Sequence, residues 1–484
     1  MTIAFVINSE KIDFYLFKCL EYIHTEIENV KITLYFEEPI KKNEFKFNWF
    51  VKLVDSKFNN FRYDAFNSIE KNDLTKKLNV KIVTKIDELK IHDIIILENK
   101  YVNVSHLKKF TKLGFITLYL SEKLVINDLL FKKYIRLIIL YQDINSTEWS
   151  VIGLEMLKKE KGIKNCLTKL SFYFAIYLAK ILRQNTLDKH YNKIKPQSND
   201  FINQFLLTLY YLKLASIILK RKFSKSRLNW KIGIEHNDEI KFLKQPQHSF
   251  WADPFIIKHK NEYIIYFEEL KKNGIGRISC LVLDSDFNIL KKREIIDKDY
   301  HLSFPNVFKV ENNYFMIPES SQTNSLQLYE CIKFPFEWEF KMNLISDIKL
   351  LDAIWIFHDN MYWILANKID GFEHENNERL YIYYSKDLFS NKWTPHSNNP
   401  VITNASLARN AGQIYLSNNK MYRISQNCSE TYGGNLVVNE ITELTINKYS
   451  EIKMNEILPP NGILGKHTMN SCDDVTVVDL LFKE

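Results

Sequence analysis

The sequence predicts a multidomain chain of α/β plus all-β class. An N-terminal α/β domain with a mostly parallel sheet spans residues 1–145, a helical connector spans 146–226, and a five-bladed β-propeller spans 227–484. Three observations predict it. The first stretch alternates short apolar strands with helical spacing, and the second carries long apolar helical runs. The third repeats a two-stranded unit at intervals of roughly 50 residues, the spacing of propeller blades.

In the first stretch, Ile3–Ile7, Ile32–Phe36, Val80–Val83, Asp93–Leu97, Phe115–Leu120 and Ile135–Tyr141 read as buried strands. Phe14–Ile27 and His106–Lys112 have helical spacing between them. Strands separated by helices pair in parallel, with helices covering both faces. Neither G-x-G-x-x-G nor G-x-x-x-x-G-K-[ST] occurs, so the usual phosphate-cradling turns are missing.

In the second stretch, Thr168–Arg183 and Phe201–Phe223 are the strongest helices, with a loop at Asp188–Asp200. Lys213 interrupts the second helix and a basic cluster, Lys220–Arg227, follows it. A membrane span would need about 20 uninterrupted apolar residues. A buried connector and an interfacial helix at 201–227, resting on an anionic membrane surface, remain open.

In the third stretch the repeat is explicit. Asp253–Ile257 leads through Lys260-Asn261-Glu262 to Tyr263–Glu268, and Asn306–Val310 through Asn312-Asn313 to Tyr314–Glu319. Asp352–Ile356 leads through Asp359-Asn360 to Tyr362–Asn367, and Gly412–Leu416 through Asn418-Asn419 to Tyr422–Asn427. An apolar run, a polar turn and an aromatic-led run form a β-hairpin. Val475–Phe482 supplies part of a fifth blade, and pairing with Leu228–Ile234 would close the ring and remove exposed edges. In an antiparallel hairpin, the start of one strand and the end of the next share an edge. Asp253 therefore meets Glu268 and Asp352 meets Asn367, while Glu319 and Asn427 fall at matching strand ends. Around a propeller axis these groups converge on one mouth.

Composition bounds the rest. The 484 residues are 46% hydrophobic, 26% charged and 14% aromatic, which is globular and too long for one core. The net charge of +8 comes from lysines spread along the chain, which excludes a nucleic-acid footprint. The six cysteines lie far apart with no C-x-x-C, so free buried thiols are expected. No three-His or His/carboxylate spacing marks a metal site, and no cofactor is implied. The first residues, Met-Thr-Ile-Ala-Phe-Val-Ile, lack a signal peptide's basic region and read as a strand, so cytoplasmic placement is expected.

Two resemblances sharpen this. Trp251-Ala-Asp-Pro-Phe255, Phe304-Pro-Asn-Val-Phe308, Pro318-Glu-Ser320 and Trp393–Val401 resemble the five-bladed propellers of glycoside hydrolase family 43. These segments are closer still to the propeller domain of plant glucosamine inositolphosphorylceramide transferases. So are Ala408–Gly412, Arg423-x-Ser-Gln426, Tyr432-Gly-Gly434 and Gly465-Lys-His-Thr468. That resemblance covers about the last 250 residues, and its ordered series is more specific than any single element. The N-terminal stretch resembles a formyltransferase-like domain, whose activity uses an Asn and a His after a central strand. Here Ser121-Glu122-Lys123 follows that strand and Lys159–Gly162 replaces the later Asp turn, so formyl transfer is not expected.

The propeller resemblance implies Asp253 as the base of an inverting reaction and Asp352 as the carboxylate that tunes the acid; Glu319 is the candidate acid, at a blade position that differs from the family's. Trp251, Glu268, Arg409, Arg423, Gln426, Tyr432 and His467 are the candidate substrate-binding residues. Each has a plainer explanation. Asp before Pro is a turn device. Asp352 in an apolar run would be explained by a hydrogen bond to a backbone turn or by pairing with Arg409. Arg409 and Arg423 either bind a phosphate or carboxylate or tie blades together. Tyr432-Gly-Gly either admits a substrate or makes a turn. The implied function is glycosyl transfer or hydrolysis in bacterial surface-polysaccharide biosynthesis, on a sugar, nucleotide-sugar or lipid-linked glycan. A propeller that binds sugar or glycolipid without chemistry is the alternative, and a sugar N-formyltransferase-related enzyme is a third.

Overall fold

The computed structural model divides into two compact units, residues 1–224 and 225–484. In the first, the described residues are 1–7, 12–13, 19–24, 27, 29–36, 68–69, 78, 80–97, 104–118, 125, 128–129, 134–158, 163–184 and 210–216. In the second they are 228–237, 239–246, 250–270, 274–369 and 377–483.

The first unit is built on strands β1 (Thr2–Ile7), β3 (Lys31–Phe36), β5 (Lys81–Val83), β6 (Ile94–Leu97), β7 (Gly114–Leu118), β8 (Tyr134–Asp143) and β9 (Ser150–Lys158). A separate pair joins β2 (Ile12–Asp13) to β4 (Ser68–Ile69). The seven strands form one sheet in the order β5-β3-β1-β6-β7-β8-β9. The first five pair in parallel, and β8 and β9 add on antiparallel. Burial of Ala4, Val6, Ile95, Leu97 and Phe115 in one cluster explains their unbroken apolar runs.

Three expectations change here. Residues 150–158 are a strand of this sheet, not part of a helical connector, so the α/β unit runs past 145. Val151 and Leu157 are buried along it, and the edge of β8 offers it a ladder. His106–Lys112 holds a single 3-10 turn, Lys108–Phe110, not an α-helix. Helix α1 spans Ile163–Gln184, five residues earlier at its start than the apolar spacing indicates. Of the proposed membrane-facing segment 201–227, residues 210–216 are helical and the remainder lies outside the described residues. Ser121–Lys123 and Lys159–Gly162 also lie outside them. Among the described residues no helix is long and apolar enough to cross a membrane.

The second unit is a five-bladed propeller. Blade I holds β12 (Phe250–His259), β13 (Glu262–Leu270), β14 (Gly276–Leu283) and β15 (Ile289–Ile296). Blade II holds β16 (Ser303–Val310), β17 (Asn313–Glu319), β18 (Ser325–Lys333) and β19 (Glu337–Ser346). Blade III holds β20 (Lys349–His358), β21 (Met361–Ile369) and β22 (Arg379–Ser385), with short β23 (Thr394–Pro395) and β24 (Ile402–Thr403) both on β22. In blade IV the inner strand is split into β25 (Arg409–Asn410) and β26 (Tyr415–Ser417), followed by β27 (Lys420–Asn427), β28 (Asn435–Leu444) and β29 (Tyr449–Ile457). Blade V closes the ring. The C-terminal β30 (Gly465–Cys472) and β31 (Val475–Lys483) join β10 (Leu228–His236) and β11 (Glu239–Phe242) from the start of the unit. The register runs from Leu228 opposite Lys483 to Glu235 opposite Thr476, the closure the sequence predicts.

The hairpin turns behave as their residues dictate. Asp359-Asn360 and Asn418-Asn419 both take positive φ at each position, the geometry of a tight type I′ connection. Middle strands are sandwiched between neighbouring blades, so every residue of β14 is buried, whereas the outermost β15 is largely exposed.

One irregularity recurs and positions the site. In blade I the ladder jumps from Ala252↔Glu268 to Phe255↔Tyr266, in II from Ser303↔Glu319 to Asn306↔Ile317, and in III from Leu351↔Asn367 to Ile354↔Leu365. In blade V it jumps from Lys466↔Leu480 to Met469↔Val478. Each inner strand thus carries a β-bulge at the same level, at Asp253, Phe304, Asp352 and His467. Asp253, Phe304 and Asp352 adopt positive φ (51°, 43° and 44°), a strained backbone for residues with a side chain.

Candidate functional site

The bulges bring two acidic groups together. In the first, Asp253 Oδ1 accepts a hydrogen bond from Thr468 Oγ1 at 2.8 Å and Oδ2 accepts one from the Phe304 N–H at 3.2 Å. His467 Nε2 lies 3.1 Å from Asp253 Oδ1, and Nδ1 lies 2.6 Å from Asp479 Oδ2. All three side chains are buried. Burial disfavours the charged carboxylate of Asp253, but His467, Thr468 and the Phe304 N–H outweigh it and hold its pKa below the ordinary value. Burial likewise opposes a charged His467; Asp479 and Asp253 outweigh it and hold the imidazolium pKa well above ordinary.

In the second group, Arg409 Nε stands 2.5 Å from Asp352 Oδ2, and Nη2 stands 3.4 Å from Glu319 Oε2. Gln426 Nε2 donates to Asp352 Oδ2 at 3.3 Å, and the Asp352 N–H donates to Glu319 Oε2. Burial pushes Glu319 up to about 8, against the pull of Arg409 and with the push of Asp352. Burial raises the Asp352 carboxyl too, but Arg409 opposes it; the tighter guanidinium contact and the Gln426 amide favour ionising Asp352 before Glu319.

Between these groups lies Glu268, which His301 Nε2 approaches at 3.2 Å. Burial, opposed by His301 and aided by Asp253, raises the Glu268 carboxyl. The Gly276 N–H donates to His301 Nδ1 at 3.0 Å, which leaves the ring proton on Nε2, facing Glu268. Side-chain amides tie the inner strands of different blades together. Asn470 Nδ2 donates to the Pro254 carbonyl, Asn306 Nδ2 to the Ala353 carbonyl and Gln413 Nε2 to Asn306 Oδ1.

Asp253, Glu268, Glu319, Asp352, Arg409, Gln426 and His467 therefore converge as the hairpin register requires. Tyr432 reaches the same mouth, its ring centroid 5.4 Å from that of His467; the residue as a whole is 40% exposed while burial raises its hydroxyl pKa well above ordinary.

Two candidates do not converge. Trp251 is 1% exposed and packs in the blade core against Phe267, with its indole N–H donating to Glu269 Oε1. Two residues apart, Trp251 and Asp253 would share a face of a regular strand; the bulge that begins after Ala252, with Asp253 at positive φ, sends them to different sides. Arg423 is fully buried and engaged by Glu451, Asn410 Oδ1 and the Leu407 carbonyl, so it ties strands of blade IV together and offers nothing to a substrate. Asn427 is also displaced. Gln426, not Asn427, stands opposite Arg409, while Asn427 pairs with Asn435.

Sequence reasoning missed His301 and Asp479. His301 sits in the link before β16 and belongs to no repeat. Asp479 carried a usable signal, a carboxylate within the apolar run Val-Val-Asp-Leu-Leu, the same anomaly that singles out Asp352.

Asp253, His467 and Asp479 have the residue types of a metal site, with ligand atoms within 4.8 Å of one another. The imidazole lies between the two carboxylates, one at each ring nitrogen. A single ion bound to one nitrogen would need the opposite carboxylate to move round the ring. As placed, the set forms a carboxylate–imidazolium–carboxylate chain, which does not fit a metal.

Fold and site together define a class: a five-bladed β-propeller with a buried cluster of acids, one arginine and two histidines at one mouth. Residues 241–470 match the family model described as glucosamine inositolphosphorylceramide transferase 1, N-terminal. The chain is 33% identical over 213 residues to the glucosamine inositolphosphorylceramide transferase 1 of Oryza sativa subsp. japonica, covering 43% of this chain and 28% of that protein. Its Arabidopsis thaliana counterpart is 29% identical over 212 residues, covering 43% and 27%. The chain thus spans less than a third of the length of these relatives. Among solved structures, a family 117 glycoside hydrolase from Zobellia galactanivorans aligns with TM-score 0.37 and 8% identity, covering 52% of this chain and 90% of that one. A thermostable family-43 glycoside hydrolase aligns with TM-score 0.34 and 10% identity, covering 49% and 89%. The matched family segment lies inside the propeller, so the formyltransferase likeness of the N-terminal sheet rests on sequence resemblance alone.

Proposed function

We propose that this is a carbohydrate-active protein that transfers or hydrolyses a glycosyl group at the propeller mouth. Asp253 takes the proton of an acceptor hydroxyl or water. That oxygen attacks the anomeric carbon, the glycosidic C–O bond breaks, and Glu319 gives its proton to the leaving oxygen. Asp352, through Arg409, sets the environment of Glu319. The observation that carries this reading is the divergence of two carboxyls: Asp253 held ionised by His467 and Thr468, Glu319 pushed up to about 8. Divergent carboxyls are what acid–base chemistry at neutral pH requires. The relatives' name, a transferase acting on inositolphosphorylceramide, supports transfer to a glycolipid or lipid-linked glycan. The proposal extends to surface-glycan assembly at the cytosolic face of a bacterial membrane, with the N-terminal sheet as scaffold.

The purified full chain, incubated with activated sugars and an inositol-phosphoceramide or lipid-linked acceptor, tests this by mass spectrometry of the products. Glycosylated or cleaved product that disappears with Asp253→Asn and with Glu319→Gln supports it. Unchanged product formation in both variants overturns it.

A second reading is favoured by one observation. Most of the relatives' length lies outside the match, so the matched propeller would serve them as a recognition module. Here too the mouth would bind a sugar without chemistry, using Tyr432, a partly exposed residue beside His467, as an aromatic contact. Loss of glycan binding on Tyr432→Ala, with no effect of Asp253→Asn on any product, would establish it.

A further inference from the structure

Asp479, which the sequence motifs do not single out, bonds to three backbone N–H groups of the site and contacts the His467 ring. It occupies the β31 position opposite the blade V bulge, where blades I, II and III have Phe267, Pro318 and Ala366. A bulge leaves backbone N–H groups without ladder partners. Asp479 Oδ1 accepts both of them, from His467 at 3.2 Å and Thr468 at 2.7 Å. Its Oδ2 accepts the Asp253 N–H at 2.9 Å, across the seam between blades V and I, and contacts His467 Nδ1. Thr468 and His467 in turn hold Asp253 Oδ1.

We propose that Asp479 is the positioning residue of the site. Through His467 it keeps an imidazolium clamped on Asp253, and so fixes both the orientation and the ionised state of that carboxylate. This rests on the function proposed above for its catalytic consequence, but not for its structural one. The groups facing His467 are Asp253 from β12, Asp479 from β31, Glu268 from β13, and the rings of Trp230 (centroid 4.3 Å away) and Tyr432. Removing the Asp479 charge lets His467 become neutral. Asp253 then loses its neighbouring cation and its pKa rises.

The test uses the full chain with labelled histidine, followed by NMR against pH. In the unmodified protein, the His467 ring is expected to stay doubly protonated well above the ordinary histidine range. In Asp479→Asn it should titrate at a lower pH, and the acid limb of kcat/KM should move up by about one to two pH units. Asp479→Asn keeps the shape and one acceptor, so a merely structural role would lower Tm without moving that limb. A neutral His467 at about pH 8 in the unmodified protein would overturn the proposal even if the variant fails to fold. If Asp253→Asn leaves turnover unchanged while His467 stays charged, the catalytic reading fails and the clamp stands.

Discussion

Asp253 and Asp352 are register equivalents two blades apart, each the left-handed residue of an inner-strand bulge (φ 51° and 44°). The same backbone device gives them cationic neighbours of different kinds. Asp253 meets an imidazolium from blade V, and Asp352 meets a guanidinium from blade IV that it shares with Glu319. The blade between them presents Phe304 at the bulge, whose N–H bonds to Asp253.

Glu319 makes stability depend on pH. Its folded pKa of about 8 lies above its ordinary 4.5, so its contribution is fully present below 4.5 and is lost as pH rises through about 8. Glu319→Gln removes that dependence. The variant's Tm should gain on that of the unmodified protein between about pH 5 and about pH 9. Thermal scans giving parallel curves would refute the assignment. If Glu319 is also the acid, turnover should fall above about pH 8.

Asp253→Asn should cut turnover by about 10² to 10⁴, the usual contribution of a positioned base, while changing ligand affinity far less. Kinetics and calorimetry on the same preparation separate the two. An equal loss in both would make Asp253 a binding residue.

Trp251→Ala and Arg423→Ala should act on stability. The first opens a cavity in the core of blade I, at a cost of about 3–5 kcal/mol. The second leaves the buried Glu451 side chain without its cation, held only by the Tyr449 hydroxyl, at a cost of up to about 3–5 kcal/mol. Urea titration gives both values. A folded Trp251→Ala that loses sugar affinity would return this residue to the mouth.

Gly433→Ala should disturb His467 directly. Gly433 has φ +60°, and an added Cβ would lie 2.5 Å from His467 Cβ and 2.9 Å from the Trp230 ring. Gly462→Ala is the control, because its φ is +83° with open space around it. The strain at positive φ, about 1–2 kcal/mol, applies to both. Only Gly433→Ala should move the His467 NMR signals and lower Tm further.

The sequence by itself determined the ring. Apolar and aromatic runs of strand length, split by Asn and Asp turns, have few ways to bury both faces and cover their edges. Closing Leu228–Ile234 on Val475–Phe482 follows from that need. The same periodicity placed Asp253, Glu268, Glu319 and Asp352 at one level, since strand ends share an edge whatever the blade contains. What only the tertiary structure decided is which neighbour each of these meets. A bulge breaks the alternation of the strand, which lets Trp251 turn inward while Asp253, two residues on, faces the mouth. His301 enters from a link outside the repeat, and Asp479 from the second strand of blade V, one position from the level at which blades I and II carry Glu268 and Glu319. The charge states of the site follow from those cross-blade contacts. Such contacts exist only after the ring closes, so no local pattern in the chain encodes them.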